Sequence, residues 1–197
     1  MKRSLAARLL AALLACVACS AALAALKEGD AAPAFTAQAS LAGKAFDFSL
    51  KDSLKNGPVV VYFYPSAFTG GCNLQAHTFA VHHDQFAAAG ATIVGVSLDS
   101  IGRLNEFSAD PQYCAGKIAV ASDADGRIAK AYDLAVRDAV AGRKDTRGAD
   151  IEHGSTERTT FVVTPDGRIA ATVGGLTPVS NVERALAAVQ KLAAAPR

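Results

Sequence analysis

The sequence contains no tryptophan, a single methionine and no run of lysine and arginine beyond its first eight residues. The formal net charge is +2 over 197 residues. Three of the 20 basic side chains stand at positions 2, 3 and 8, so the rest of the chain, with 18 acidic residues, carries about one net negative charge. A nucleic-acid-binding surface needs a clustered basic patch, so we expect no nucleic-acid partner. With 51% hydrophobic residues and no charge extreme, the chain can form a packed globular core.

The one long apolar stretch lies at the N-terminus. The basic residues are followed by a wholly apolar segment at 9–15, and the triplet at 22–24, Ala-Leu-Ala, offers the small residues that signal peptidases read. We therefore predict a cleaved export signal over residues 1–24, a single domain over residues 25–197 and a periplasmic location. Because Leu-Leu-Ala-Cys at 13–16 resembles a lipobox, a membrane-anchored lipoprotein attached through Cys16 is the alternative.

Few cysteines remain beyond the predicted leader. Cys16 and Cys19 lie within it, which leaves Cys72 and Cys114. Two cysteines in an exported chain usually form one structural disulfide, and that is the alternative which any catalytic interpretation has to outweigh.

Hydrophobic periodicity predicts an α/β domain. The run at 59–64 is apolar on both faces and predicts a central buried strand, and 92–96 predicts a second one. Further strands are predicted at 35–39, 45–48, 118–121, 159–163 and 168–173, with turns at 42–44 and 165–167. Helices are predicted at 72–89, 102–108, 123–132 and from about residue 180, where Ser180 and Glu183 form a capping-box pattern.

This order of elements matches a thioredoxin-like fold, with a central mixed β-sheet flanked by helices and an N-terminal β-hairpin. Periodicity alone does not separate it from other small α/β sandwiches. Residues 137–157 are polar and without periodicity, and they predict a surface loop that is either functional or mobile.

Cys72 stands where the central strand has ended and a helix is predicted to begin. Unpaired N–H groups and the positive end of the helix dipole favour the thiolate there, and the thiolate is the nucleophilic form. Gly70 and Gly71 allow close approach of a small ligand to the backbone, and the Thr69 hydroxyl can turn toward the sulfur.

Each residue around Cys72 also has a simpler explanation. Pro65 could only end the strand, Thr69 could only cap the helix, and Arg158 could be an ordinary surface charge. A structural disulfide, however, has no need of a proline, a threonine and two glycines just ahead of a helix. The combination therefore favours a catalytic cysteine.

The pattern Pro65-x-x-x-Thr69-x-x-Cys72 resembles the active-site motif of the peroxiredoxins. Gln75, Phe79 and the segment 157–163 also look like that family, and the chain is most similar to its bacterioferritin-comigratory, or peroxiredoxin Q, type. The resemblance runs from about residue 26 to the C-terminus.

The resemblance implies a thiol-dependent peroxidase that reduces hydrogen peroxide and organic hydroperoxides without a cofactor or metal. Cys72 would be the peroxidatic cysteine and would become a sulfenic acid. Thr69 would hydrogen-bond the peroxide, Pro65 would limit water access, and Arg158 would lie beside the sulfur. With Arg158, the backbone N–H groups of Gly71 and Cys72 would stabilise the leaving oxygen. The reductant would be an external thiol or dithiol, such as a thioredoxin-like protein or a small thiol, and the chain would be a monomer.

Recycling needs a second thiol. Peroxiredoxin Q proteins often carry a resolving cysteine five residues after the peroxidatic one, and that position is His77 here. We therefore predict that Cys114 resolves Cys72 as an intramolecular disulfide after local unwinding. The alternative is a one-cysteine cycle in which Cys114 is inert.

Two further functions are considered. An exported thioredoxin-like disulfide oxidoreductase would need a C-x-x-C pair at the helix start, which Cys72 lacks. A non-enzymatic redox-sensing or binding module would use the disulfide as a staple. A metal site at Cys72 and His77 is not predicted, because a spacing of five does not place both on one helical face.

Overall fold

The computed structural model describes residues 25–195. The predicted leader over residues 1–24, with Cys16 and Cys19, lies outside the described residues. The strands are β1 (Thr36–Leu41), β2 (Lys44–Ser49), β3 (Val59–Phe63), β4 (Thr92–Ser97), β5 (Ala119–Ser122), β6 (Val136–Arg137), β7 (Ser155–Thr156), β8 (Thr159–Val163) and β9 (Ile169–Gly174). The helices are α1 (Leu50–Ser53), α2 (Gly70–Ala88), α3 (Ile101–Ala109), α4 (Arg127–Ala131) and α5 (Pro178–Ala194), and a short 3₁₀ turn covers Leu54–Asn56.

Seven strands form one mixed sheet in the order β2-β1-β5-β4-β3-β8-β9. Strands β3, β4 and β5 run parallel, while β1, β2, β8 and β9 pair antiparallel with their neighbours. The predicted mixed sheet and the N-terminal hairpin are therefore confirmed. The carboxyl ends of the parallel strands meet at one edge of the sheet, which is where ligand sites of such sheets form.

The central strand β3 is buried on both faces. Val60 and Tyr62 belong to the cluster that holds the apolar faces of α2, α3 and α5. Val61 and Phe63 point to the other face and pack in a cluster that includes Tyr132. Burial on both sides explains why residues 59–63 are continuously apolar rather than alternating.

The last helix begins earlier than its capping-box pattern predicted. The side chain of Thr177 accepts a hydrogen bond from the Ser180 N–H at 3.2 Å, and Pro178 occupies the first turn. The interpretation of Ser180 and Glu183 as the cap is therefore wrong. Proline at the first helical position lacks the N–H that would otherwise go unpaired there, which makes 178 the better start.

The helix predicted at 123–132 is reduced to the five residues of α4. Asp123 stays outside it and accepts hydrogen bonds from the N–H groups of Ile128 and Ala129 at 2.9 and 2.8 Å. Gly126 intervenes with φ of +69°, a left-handed conformation that a continuous helix excludes.

Residues 137–157 are more structured than a polar surface loop. Strands β6 and β7 pair at its two ends, and Lys144 and Asp150 form an isolated bridge between them. Asp145 and Ile151 are buried. No helix within residues 25–195 is long and apolar enough to cross a membrane.

Candidate active site

Cys72 is the third residue of α2 and is 2% exposed. Its sulfur receives a hydrogen bond from Nη2 of Arg158 at 3.3 Å. Arg158 lies between β7 and β8, and this position in the chain places its guanidinium beside the first turn of α2. A guanidinium keeps its charge at any working pH and presents several fixed donors, so it can hold both a sulfur anion and a small oxygen ligand.

The two glycines ahead of Cys72 have different surroundings. A Cβ atom on Gly71 would lie 3.2 Å from Nη2 of Arg158 and 3.6 Å from Cγ of Pro178. A Cβ atom on Gly70 would meet nothing within 4 Å. Gly71 is therefore the residue whose missing side chain lets Arg158 pack over the helix start.

The Thr69 hydroxyl donates to the carbonyl oxygen of Ser66 at 2.8 Å. Its oxygen lone pairs remain free to accept a hydrogen bond from a protonated ligand. The Cys72 N–H donates to the Thr69 carbonyl at 2.9 Å, whereas the Gly71 N–H makes no hydrogen bond to any described residue. Of the two backbone donors expected to meet a leaving oxygen, the one at Gly71 is uncommitted. Pro65 is half-buried at the start of the same loop.

Arg158 is held from behind by a chain of buried amides. Its Nη1 donates to Oε1 of Gln75, and Nε2 of Gln75 donates to Oδ1 of Asn181 at 2.9 Å. Nδ2 of Asn181 donates to the Val173 carbonyl at 2.9 Å. Thr160 adds a second donor to Oδ1 of Asn181 at 2.5 Å.

This chain has only one consistent orientation. The Val173 carbonyl can only accept, so it fixes the Asn181 amide with Oδ1 toward Gln75. Gln75 must then donate from Nε2, which turns its Oε1 toward Arg158. The guanidinium beside Cys72 is therefore oriented by α5 and β9, two elements distant from Cys72 in sequence.

The loop between β3 and α2 is fixed by Asp99, which follows β4. Oδ2 of Asp99 accepts from the Ala67 N–H at 2.8 Å, and Oδ1 accepts from the Ser66 hydroxyl at 3.2 Å. Neither Asp99 nor Asn181 was identified from the sequence. A polar residue at the carboxyl end of a buried parallel strand was the available signal for Asp99; Asn181 had none, because it occupies one position on the buried stripe of α5.

Cys114 is fully buried, and burial raises the pKa of its thiol well above the usual range. Both Cys72 and Cys114 are free thiols. Their segments touch: the Tyr113 ring packs edge-on against Phe68 with centroids 5.8 Å apart, and Nδ1 of His77 lies 3.0 Å from the Gln112 carbonyl. The structure therefore brings the two cysteine-bearing segments together with each thiol in the core.

Two surface grooves lie away from Cys72. One of about 790 Å³ is lined in part by Phe35 and Tyr132, and one of about 560 Å³ runs beside Pro58 and Leu192. Neither is lined by Thr69, Cys72 or Arg158. Among residues 25–195, no group of three His, Cys, Asp or Glu side chains is arranged to hold a metal.

Comparison with known proteins points to one family. The AhpC/TSA family profile matches residues 28–172. Peroxiredoxin Q of rice chloroplasts is 40% identical over 82 residues, which cover 42% of this chain and 36% of the rice protein. Peroxiredoxin Bcp of Xanthomonas campestris is 29% identical over 132 residues, covering 67% of this chain and 76% of that protein.

The fold is shared with a crystal structure. Peroxidoxin BcpB of Mycobacterium tuberculosis superposes with a TM-score of 0.70 at 25% identity, covering 85% of this chain and 98% of that one. The predicted thioredoxin-like fold of this family is therefore confirmed.

Proposed function

Since this chain belongs to the AhpC/TSA family of peroxiredoxins, we propose that it is a thiol-dependent peroxidase in which Cys72 reduces hydroperoxides. The observation that carries the proposal is the hydrogen bond from Arg158 to the Cys72 sulfur at 3.3 Å. A guanidinium at that place serves both the attacking sulfur and the oxygen it attacks.

In the first step the Cys72 thiolate attacks one peroxide oxygen and the O–O bond breaks. Cys72 becomes a sulfenic acid, and the other oxygen leaves as an alkoxide or hydroxide that takes up a proton to give an alcohol or water. Arg158 and the uncommitted Gly71 N–H face the growing charge on the leaving oxygen. The Thr69 oxygen accepts a hydrogen bond from the protonated peroxide.

In the second step the Cys114 thiol attacks the sulfenic sulfur. An S–S bond forms, the S–O bond breaks, and the hydroxyl leaves as water with the proton of the Cys114 thiol. Because Cys114 is fully buried, the segment around it and the first turn of α2 open before the sulfurs meet. The contacts of Phe68 with Tyr113 and of His77 with Gln112 couple the two segments, which supports their opening together. An external thiol or dithiol then reduces the disulfide.

Replacing Cys114 tests this cycle. With one equivalent of hydrogen peroxide, the wild-type protein is expected to form a Cys72–Cys114 disulfide, seen by peptide mass spectrometry and by a faster band on a non-reducing gel. Cys114→Ser is expected to keep the rate of Cys72 oxidation and to accumulate the sulfenic acid, and Cys72→Ser is expected to consume no peroxide. Full turnover with a small dithiol in Cys114→Ser, with no disulfide in the wild type, would favour the one-cysteine cycle instead.

We also propose that the protein is exported, monomeric and active on both hydrogen peroxide and organic hydroperoxides. The apolar leader with its basic start supports export. Mass spectrometry of the protein isolated from its source tests the location: a first residue near 25 supports a soluble exported protein, and a lipid on Cys16 supports the anchored alternative.

A further inference from the structure

A group of buried charged residues outside the reacting residues has no part in the steps above. It consists of Asp99, Arg103, Asp145 and His153, drawn from the edge of β4, from α3 and from the segment 137–157. The carboxylates of Asp99 and Asp145 are fully buried, and the Arg103 side chain is 14% exposed. Charges are rarely held this deeply without a specific arrangement of partners.

Asp99 connects this group to the active-site loop. It receives the Ala67 N–H and the Ser66 hydroxyl, and the Ser66 carbonyl in turn receives the Thr69 hydroxyl. Nη2 of Arg103 donates to the Ala67 carbonyl at 3.0 Å, so both backbone polar groups of Ala67 are hydrogen-bonded to this group. The position of Thr69, three residues ahead of Cys72, therefore depends on the position of Asp99 through these hydrogen bonds.

His153 holds Asp99 from the other side. Its Nε2 lies 2.8 Å from Oδ1 of Asp99, and its Nδ1 lies 2.7 Å from the Gly154 carbonyl oxygen. A carbonyl oxygen can only accept a hydrogen bond, and so can an ionised carboxylate. Both ring nitrogens must therefore donate, which requires the imidazolium form of His153.

The electrostatics agree with this geometry. Burial raises the pKa of the Asp99 carboxyl, but the hydrogen bond and charge of His153, together with hydrogen bonds from Ala67 and Ser97, lower the pKa overall. Burial lowers the pKa of His153, while the hydrogen bond and charge of Asp99 raise it more. Arg103, which shares Oδ1 of Asp99 at 2.8 Å, opposes protonation of His153, and it is partly neutralised by Asp145 at 2.8 Å.

The backbone of Gly154, whose carbonyl faces Nδ1 of His153, is tightly packed. Gly154 lies beside the β6–β7 ladder, in which Arg137 pairs with Ser155. Any Cβ atom at position 154 would collide with the Arg137 carbonyl, so the two backbones are in close contact. When the ring is neutral, one of its nitrogens faces an acceptor without a hydrogen between them.

We propose that His153, as an imidazolium, is a positioning residue that holds the active-site loop through Asp99, and that loss of its proton releases the loop. This inference rests on the proposed function, because the loop that is held carries Thr69 and leads to Cys72. Release weakens the placement of Thr69 for the peroxide.

The test compares wild type with His153→Gln across pH. An amide can donate toward one of the two acceptors but not toward both. Because the chain has no tryptophan, the rate of peroxide reduction is best measured by competition with a haem peroxidase. The wild-type rate is expected to exceed the variant rate about tenfold near pH 6, and the ratio is expected to approach one near pH 9. Taking the ratio cancels the effects of pH that are common to both proteins.

The matched control is His83→Gln, which removes a half-buried histidine paired with Asp84 at 3.0 Å on the same helix as Cys72. It is expected to follow the wild type at every pH. A ratio for His153→Gln that stays at one, or that stays constant across pH, would overturn the inference.

Hydrogen exchange separates this inference from the proposed function. Peptides covering residues 64–72 of the wild type are expected to lose protection, relative to intrinsic exchange, as pH rises through the titration of His153, and this needs no variant. Unchanged protection contradicts the inference even if His153→Gln fails to fold. If the wild type consumes no peroxide, the proposed function fails, and the exchange measurement still decides whether His153 holds the loop.

Discussion

At the scale of single residues, Gly70 and Gly71 are neighbours with opposite environments. The space above Gly70 is open, whereas the guanidinium of Arg158 occupies the space above Gly71. Both are helical and neither has a positive φ, so an alanine fits the backbone at either position. Alanine substitutions at the two positions can therefore distinguish an effect on helix stability from an effect on the position of Arg158.

Gly71→Ala is expected to lower the rate of Cys72 oxidation by peroxide about tenfold, because the new methyl would lie 3.2 Å from Nη2 of Arg158 and would shift the guanidinium from its hydrogen bond to the sulfur. Gly70→Ala is expected to keep the rate and to raise the free energy of unfolding by about 0.5–1 kcal/mol. Competition kinetics and urea unfolding measure the two effects. Equal rates in both variants would show that Arg158 does not need the space over Gly71.

At the scale of elements, α5 orients Arg158 although the two share no hydrogen bond. The Val173 carbonyl of β9 fixes the orientation of the Asn181 amide by a hydrogen bond. Asn181 in turn orients Gln75, and Gln75 orients Arg158, each through one further hydrogen bond. A helix packed beside α2 on the same face of the sheet thus sets the direction of the guanidinium at Cys72.

Asn181→Ala is expected to lower the free energy of unfolding by about 1–3 kcal/mol, because the Gln75 amide and the Val173 carbonyl lose a buried partner. The rate of Cys72 oxidation is expected to fall about 10- to 100-fold, since Gln75 is then free to turn its oxygen away from Arg158.

Thr160→Val is the control for that variant. It removes the other donor to Asn181 and leaves the link from Asn181 to Gln75 in place. It is expected to cost stability and to leave the oxidation rate within about threefold of the wild type. A parallel loss of rate in both variants would mean that Asn181 acts only through stability.

The elements also show where sequence patterns suffice. The buried strand at β3 and the apolar stripe of α5 could be predicted because burial leaves a direct mark on residue type. The start of α5 was misplaced because Ser180 and Thr177 are both good caps, and the signal from Pro178 at the first helical position was not used. The ordered structure of residues 137–157 was not predicted for another reason: their polar side chains form hydrogen bonds to residues far away in the sequence.

The site shows the same division. Cys72 and Thr69 belong to one short motif, whereas Arg158 was reached only through family resemblance, since 86 positions separate it from the sulfur it contacts. Asp99, His153 and Asn181 carry no local signal of their partners, because each bond is made across the fold.

At the scale of the whole molecule, the buried charges make folding stability depend on pH. His153 has a raised pKa, so its contribution is complete below about 6.5 and is lost as pH rises through its folded-state value. The pKa values of Asp99 and Asp145 are lowered overall by their hydrogen bonds despite burial, so their contributions are present above about 3.8 and are lost on acidification.

The free energy of unfolding is therefore expected to be highest between about pH 4.5 and 6.5, and to fall by about 1–2 kcal/mol by pH 8.5 as His153 loses its proton. Urea unfolding followed by far-ultraviolet circular dichroism measures it. His153→Gln is expected to remove the decline on the alkaline side and also to weaken the dependence on the acid side, because His153 is a main cause of the lowered pKa of Asp99. A wild-type stability that is level from pH 5.5 to 8.5 would contradict this assignment.

The complete burial of Cys114 sets a delay between the two chemical steps proposed here. During that delay the sulfenic sulfur can meet a second peroxide molecule, which would carry it to the sulfinic acid and end the cycle. The fraction of enzyme lost in each turnover then depends on two competing rates. One is the oxidation of the sulfenic acid by a second peroxide, which rises with peroxide concentration, and the other is the opening of residues 110–117. In the proposed cycle, tolerance of concentrated peroxide is therefore expected to depend on how firmly Tyr113 packs on Phe68.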